Sequence, residues 1–275
     1  MLRLTEIKLP LDHDEAALTQ AILSKLAISS SQLIDFTVFK RGYDARKKTN
    51  ILLIYTLDIN VTGEAQLLKQ FAKDPHVKPA PDTSYKFVAT APKNLTERPV
   101  VIGFGPCGLF AGLLLAQMGF NPIILERGKA VRERTKDTFG FWRKGTLDTE
   151  SNVQFGEGGA GTYSDGKLYT RSHKRGNIQE ILELLVAHGA STDILIDAHP
   201  HIGSNKLPKI ISEMRETIEQ YGGEVRFGHF VTDILIKDHK VTGIQCEGHD
   251  IIPASFLILA TGHSARDIYE LLHKK

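Results

Sequence analysis

Hydrophobic and polar positions divide the chain into two stretches of different character. Over residues 2–9 apolar and polar side chains alternate, as a strand with one buried face requires, and Leu18, Ile22 and Leu26 then recur at helical spacing. Asp12 and Glu15 offer a capping box at the start of that helix. Residues 33–40 and 51–59 are rich in β-branched and aromatic side chains, and the basic turn between them makes a hairpin. A short helix over 64–72 and a strand over 85–89 complete the order βαββαβ. That order predicts a small ferredoxin-like α+β domain, with two helices on one face of a four-stranded antiparallel sheet. Prolines gather in 74–83 and again in 91–99, and the boundary falls in the second group, dividing the chain into 1–93 and 94–275.

From Val100 onward the pattern is α/β. An apolar strand leads into a turn, residues 109–118 form a helix-compatible run, and a second apolar strand ends at Glu126. Residues 128–200 hold a charged helix, a glycine-rich loop and a second helix carrying Ile178, Ile181, Leu182 and Leu185. A helix over 207–221 stops at Gly222-Gly223, as a left-handed C-cap requires. A strand over 224–227, a β-meander over 231–251 and a strand over 256–260 follow.

The turn Gly103-Phe104-Gly105-Pro106-Cys107-Gly108 has the spacing of a dinucleotide-binding loop, and its context strengthens it: strand before, helix after, second strand ending in an acid. Gly103 permits the tight bend, Gly105 lets the backbone approach a pyrophosphate, and Gly108 lets the helix pack closely. Helix N–H groups and the helix dipole then favour the phosphates. Glu126, 23 residues after Gly103, is placed to accept hydrogen bonds from both ribose hydroxyls and disfavours a 2′-phosphate.

Composition excludes little. A chain of 275 residues, 41% hydrophobic and 24% charged, can bury a sizeable core, and a net charge of +2 points to neither nucleic acid nor membrane. The two cysteines, Cys107 and Cys246, fit neither a disulfide framework nor a metal site, so a reducing, cytoplasmic location is expected. Arg3, Glu6 and Lys8 argue against a signal peptide. The glycines and Pro106 within the apolar stretch 99–120 argue for a phosphate loop rather than a membrane span, and a soluble protein is expected.

The meander followed by Leu257-Ile258-Leu259-Ala260-Thr261-Gly262 resembles the glutathione-reductase-type flavoproteins. Asn152-Val153-Gln154-Phe155-Gly156-Glu157-Gly158-Gly159-Ala160-Gly161-Thr162-Tyr163-Ser164-Asp165-Gly166-Lys167-Leu168 is similar to a signature of a bacterial family of largely uncharacterised FAD-dependent dehydrogenases. Arg46-Lys47-Lys48 and Gly262-His263-Ser264-Ala265-Arg266-Asp267 fit the same family, so the resemblance covers almost the whole chain. It implies a Rossmann-type FAD-binding domain with an antiparallel β-meander crossover, and hydride or electron transfer between an organic substrate and flavin, with NAD(P)H a candidate electron donor. Gly103, Gly105 and Gly108, with the amides around Pro106 and Cys107, would cradle the FAD pyrophosphate, and Glu126 would hold the adenosine ribose. Arg127 would flank the adenine and Val231 would present its backbone to it. Thr261 and Gly262 would return beside the pyrophosphate, and Arg134 would reach a phosphate. The loop 156–166, through Gly158, Gly159, Ala160 and Gly161, would lie against the isoalloxazine, with Ser164, Asp165 and Lys167 on the substrate side.

No catalytic acid or base is assigned. Members of that family run well beyond 275 residues, so the resemblance implies part of a longer enzyme or a truncated product; a nucleotide-binding module without turnover and an NAD-dependent dehydrogenase are the alternatives. The basic turn 40–48 reads as a solvated hairpin tip, or as a docking element through Arg41 or Arg46. RNA binding is disfavoured because residues 51–57 lack the aromatic and glycine pattern that stacks bases. His199 and His201, with His263 or Asp197, have the spacing of neither a structural nor a catalytic metal site, and no metal is expected.

Overall fold

The computed structural model describes residues 1–168 and 176–275. The described chain divides into two compact units, Met1–Tyr85 with Leu168–Val186 and Ser191–His201, and Lys86–Lys167 with Ala187–Ala190 and Ile202–Lys275. This differs from a single cut at 93/94, because part of the region after the glycine-rich loop groups with the N-terminal residues.

The first unit opens with β1 (Leu2–Pro10), α1 (Ala16–Leu26), β2 (Leu33–Asp44), β3 (Leu52–Val61), α2 (Glu64–Gln70) and β4 (Val77–Pro79). Its antiparallel sheet has the order β2-β3-β1-β4. Strict alternation in β3 puts Leu53, Tyr55, Leu57, Ile59 and Val61 into one core. Leu18, Ile22 and Leu26 of α1 and Leu67 of α2 pack into the same core. Asp14 rather than Asp12 bonds the start of α1, its Oδ1 accepting the Ala17 N–H at 2.8 Å, while the N-cap residue before Ala16 is Glu15, which makes no side-chain capping bond. The fourth strand is a second correction. Residues 77–79, not 85–89, take the free edge of β1, pairing Leu4 with Val77 and Leu2 with Pro79. Val77 is buried in the core there, while Val88 is 86% exposed, and burial outweighs the β-propensity of the later stretch.

The second unit begins with β5 (Val100–Ile102), α3 (Pro106–Gln117), β6 (Ile123–Glu126) and α4 (Val131–Lys144). Helix α5 (Ile178–Ala187) lies almost wholly in the part that groups with the first unit. There Arg41 and the segment 191–201 pair through their backbones, Arg41 N–H to Ile196 O at 2.6 Å and Ala198 N–H to Arg41 O at 2.9 Å. The second unit resumes with α6 (Leu207–Gln220), β7 (Glu224–Phe227), β8 (Val231–Lys237), β9 (Lys240–Cys246), β10 (Ile252–Pro253), β11 (Leu257–Leu259) and α7 (Arg266–Lys274).

Its parallel sheet has the order β11-β5-β6-β7, and β8, β9 and β10 form a separate antiparallel meander. Residues of β5 and β6 are buried on both faces, as in a covered parallel sheet. Val100, Ile102, Ile123 and Leu125 face the meander residues Val231, Ile234, Ile244 and Ile252. On the other face Ile124 meets α3 and α6 at Gly112, where a Cβ would stand 2.9 Å from Ile124 Cδ1 and 3.5 Å from Ile218 Cδ1. The arrangement is Rossmann-type: α3 and α6 on one face, the meander with α7 on the other, and the first strand central, with its neighbours diverging beside the turn that follows it. Among the described residues no helix is long and apolar enough to cross a membrane.

Candidate functional site

The carboxyl end of β5 runs into the turn at Gly103. This residue takes φ +98°, and a Cβ there would stand 2.6 Å from the carbonyl oxygen of Ala260, so only glycine lets the turn lie against the end of β11. Gly108 is more tightly held, since a Cβ would overlap the carbonyl oxygen of Gly103. Helix α3 starts at Pro106, where a missing N–H costs nothing. The amides that follow, on Cys107 and Gly108, lie in the first turn, which lacks carbonyl partners within the helix, and the helix dipole adds to their attraction for an anion.

Gly103, Gly105, Pro106 and Cys107 border a cavity of about 470 Å³. Gly159, Ala160 and Gly161 of the glycine-rich loop form a second wall, and Thr261 and Gly262 after β11 form a third. The volume lies in the range of small-molecule and cofactor sites, roughly 300–1,000 Å³. Gly105 and Gly159 stand back to back at its edge: a Cβ on Gly159 would come within 2.9 Å of Gly105 Cα.

Glu126 borders the same cavity but is already heavily engaged. Its Oε2 accepts the Phe104 N–H at 2.7 Å, and its Oε1 accepts the Gly128 and Gly156 N–H groups at 2.9 Å each. Three of a carboxylate's roughly four acceptor positions are thus used within the protein, leaving one on Oε2. That is room for one ribose hydroxyl rather than the expected two. Arg127 lies over the rings of Phe155 and Phe230, 4.6 and 4.3 Å from their centroids, and donates to Asp267. With Val231 it borders a second cavity of about 30 Å³, which shares Gly103, Glu126, Phe155 and Thr261 with the first.

Arg134 does not reach the cavity. Its guanidinium is fully buried and donates to the carbonyls of Asn152, Val153, Glu157 and Gly159 and to Thr162 Oγ1, at 2.5 to 2.9 Å. All five of its N–H donors are spent on the glycine-rich loop, so none is left for a phosphate. Burial pulls its pKa below the ordinary value. Gly158 lies behind the wall as well, its N–H donating to Phe104 O at 2.8 Å and its φ at +80°. The neighbouring Glu157 carboxylate is buried too, accepting from the Val131 N–H at 2.6 Å and Arg215 Nε at 2.8 Å. Burial pushes its pKa up against the pull of those two donors.

Ser164, Asp165 and Lys167 stand outside the walls of the cavity: Ser164 Oγ donates to Gly161 O at 2.7 Å, and Lys167 pairs with Asp165 at 3.1 Å. In the basic turn, Arg41 donates to Asp197 through Nε and Nη2 at 3.0 and 2.8 Å. Arg46 donates to Asp44 and holds its carboxyl at about 2. Among the described residues no three His, Cys, Asp or Glu side chains are arranged to hold a metal ion.

Sequence reasoning missed Gln154, Phe155, His263 and Ser264, all of which border the cavity, as does Gly156 at the start of the expected loop. Ser264 Oγ donates to Gln154 Oε1 at 3.2 Å, joining two walls. The signal was available, since these residues flank the glycines within the two motifs that carry the resemblance.

The first turn of the Rossmann-type sheet, the glycine-rich loop and the return after the last strand thus border one cavity. Comparison with known proteins adds the following. Residues 1–60 match a family described as a domain of unknown function (DUF8436). The whole chain is 38% identical, over 274 residues, to a Clostridium beijerinckii protein described as an uncharacterized protein, of which the alignment takes in 51%. It is 23% identical over 186 residues to the thiamine thiazole synthase of Methanococcus maripaludis, covering 64% of this chain and 59% of that protein. Among solved structures, THI4 of Thermovibrio ammonificans aligns over 65% of this chain and 62% of its own, at 18% identity and a TM-score of 0.43. The chain spans about half to three-fifths of the length of the curated relatives it matches.

Proposed function

We propose that this chain is the nucleotide-binding portion of an FAD-dependent oxidoreductase. The observation that carries the reading is the single cavity bordered by the phosphate turn, the glycine-rich loop and the Ala-Thr-Gly return. The residues present fit such a group, because Gly103 and Gly159 keep the backbone free of Cβ atoms that would meet neighbouring main chain. The amides of Cys107 and Gly108 would hold the pyrophosphate, the open position on Glu126 Oε2 a ribose hydroxyl, and Arg127 and Val231 would flank the adenine. When bound, FAD supplies hydride or electron transfer at its ring. Gly159, Ala160 and Gly161 exclude water from one side of the cavity and present main-chain polar groups to it. The βαββαβ unit, with sheet order β2-β3-β1-β4, is read as a ferredoxin-like accessory unit, and NAD(P)H as an electron donor.

Titration of the purified protein with FAD, FMN and NAD, followed by flavin absorbance and fluorescence, tests this reading. FAD is expected to bind more tightly than either. Gly105→Val is expected to weaken FAD by tenfold or more, about the loss of one strong hydrogen bond to a charged group. Glu126→Gln is expected to weaken FAD, because the amide nitrogen can accept neither from the main-chain N–H it faces nor from a ribose hydroxyl. Absence of FAD binding by the unaltered chain, or equal binding by Gly105→Val, overturns the assignment.

A further inference from the structure

Arg134 is the bulkiest fully buried side chain among the described residues, and it borders neither cavity. A buried guanidinium is tolerated only where its charge and donors are satisfied. Here four of its five acceptors are main-chain carbonyls of residues 152–159, and the fifth, Thr162 Oγ1, itself stands 3.0 Å from the carbonyls of Glu157 and Gly159. The glycines beside it make room, since a Cβ on Gly156 would overlap Arg134 Cδ.

Peptide planarity turns this grip into a direction. In a trans peptide the C=O of one residue and the N–H of the next point opposite ways. With Glu157 O held by Arg134, the Gly158 N–H faces away from it and donates to Phe104 O in the phosphate turn. With Gly159 O held by Arg134 at 2.8 Å and by the Thr162 N–H at 3.2 Å, the Ala160 N–H likewise faces away, and Ala160 is a wall residue of the cavity.

We infer that Arg134 is a positioning residue: by holding Gly159 O it aims the Ala160 N–H at an electron-rich oxygen of the bound nucleotide, on the pyrophosphate or on a flavin carbonyl. The inference rests on reading the cavity as an FAD site. A buried charged donor set that does not itself border the cavity acts through the main chain, as outer-shell partners do in metal sites.

Arg134→Lys and Arg134→Met in the full chain test it through two readouts. The first is hydrogen exchange of residues 152–162 without nucleotide, expected to accelerate about tenfold in either variant while β5, β6 and α3 keep their rates. A variant that only weakened the fold would accelerate exchange throughout. Should Arg134→Met fail to fold, Arg134→Lys retains the charge and still lacks the planar fork. The second readout is affinity for FAD and ADP, with FAD expected to weaken about tenfold. Parallel loss of ADP assigns the acceptor to the pyrophosphate, whereas unchanged ADP assigns it to the flavin ring. Unchanged loop exchange, or faster loop exchange with unchanged FAD affinity, overturns the positioning role. If the unaltered chain binds neither nucleotide, the FAD reading falls, while loop exchange still decides whether Arg134 holds the loop.

Discussion

Gly108 sits where the first turn of α3 meets the turn at Gly103, and no side chain fits between it and Gly103 O. The obstacle is main chain on both sides, so Gly108→Ala must displace either the helix or the turn. Overpacking of this kind is expected to cost about 3 kcal/mol, near the top of its usual range, and to remove nucleotide binding together with stability. Urea unfolding and FAD titration of the variant check both, and stability within about 0.5 kcal/mol of the unaltered chain would contradict the packing. This glycine was legible in the sequence because its spacing from Gly103 is set by local backbone geometry. The engagement of Glu126 was not. Its position after an apolar strand marks it as a carboxylate at a strand end, but two of its three amides come from Phe104 and Gly156, brought in by the neighbouring strand turn and by a loop 30 residues away.

At the scale of elements, the β2–β3 hairpin illustrates what the local pattern can and cannot report. Enrichment in β-branched and aromatic side chains identified both strands, although β2 extends to Asp44 and carries the start of the basic turn into the sheet. At its tip Arg46 folds back on Asp44, which the ion pair and hydrogen bonds hold at about 2 from an ordinary 3.8. Because the folded value is the lower one, the stabilisation from this pair is present above the ordinary carboxylate range and lost as pH falls toward about 2. An NMR titration is expected to show Asp44 protonating near that value, and Arg46→Gln to return the midpoint toward about 4. A midpoint unchanged by the substitution would remove Arg46 as the cause. The fourth strand shows the limit of periodicity. Three residues with one buried valine pair with β1, and so short a segment carries little period to read.

In the whole molecule, the first compact unit is not contiguous in sequence. Residues 191–201 lie with β2 through two backbone hydrogen bonds and the Arg41–Asp197 pair, which is partly exposed. Asp197→Ala is expected to cost about 1 kcal/mol, less at high salt, and to accelerate hydrogen exchange over 191–201 while leaving β1 and β3 unchanged. Uniform rates across the unit in that variant would show that the pair does not hold the segment. The sequence by itself determined the elements with a clear hydrophobic period, the glycine turn after the first apolar strand, and the change from antiparallel to parallel architecture near residue 100. Those features depend on side chains a few positions apart and on backbone conformations open only to glycine. Tertiary structure decided which strand takes the edge of β1, where 191–201 belongs, and that Arg134 grips a loop instead of a phosphate. Each of these rests on partners distant in sequence: apolar burial of Val77 at the edge of β1, and backbone and side-chain hydrogen bonds for 191–201 and Arg134.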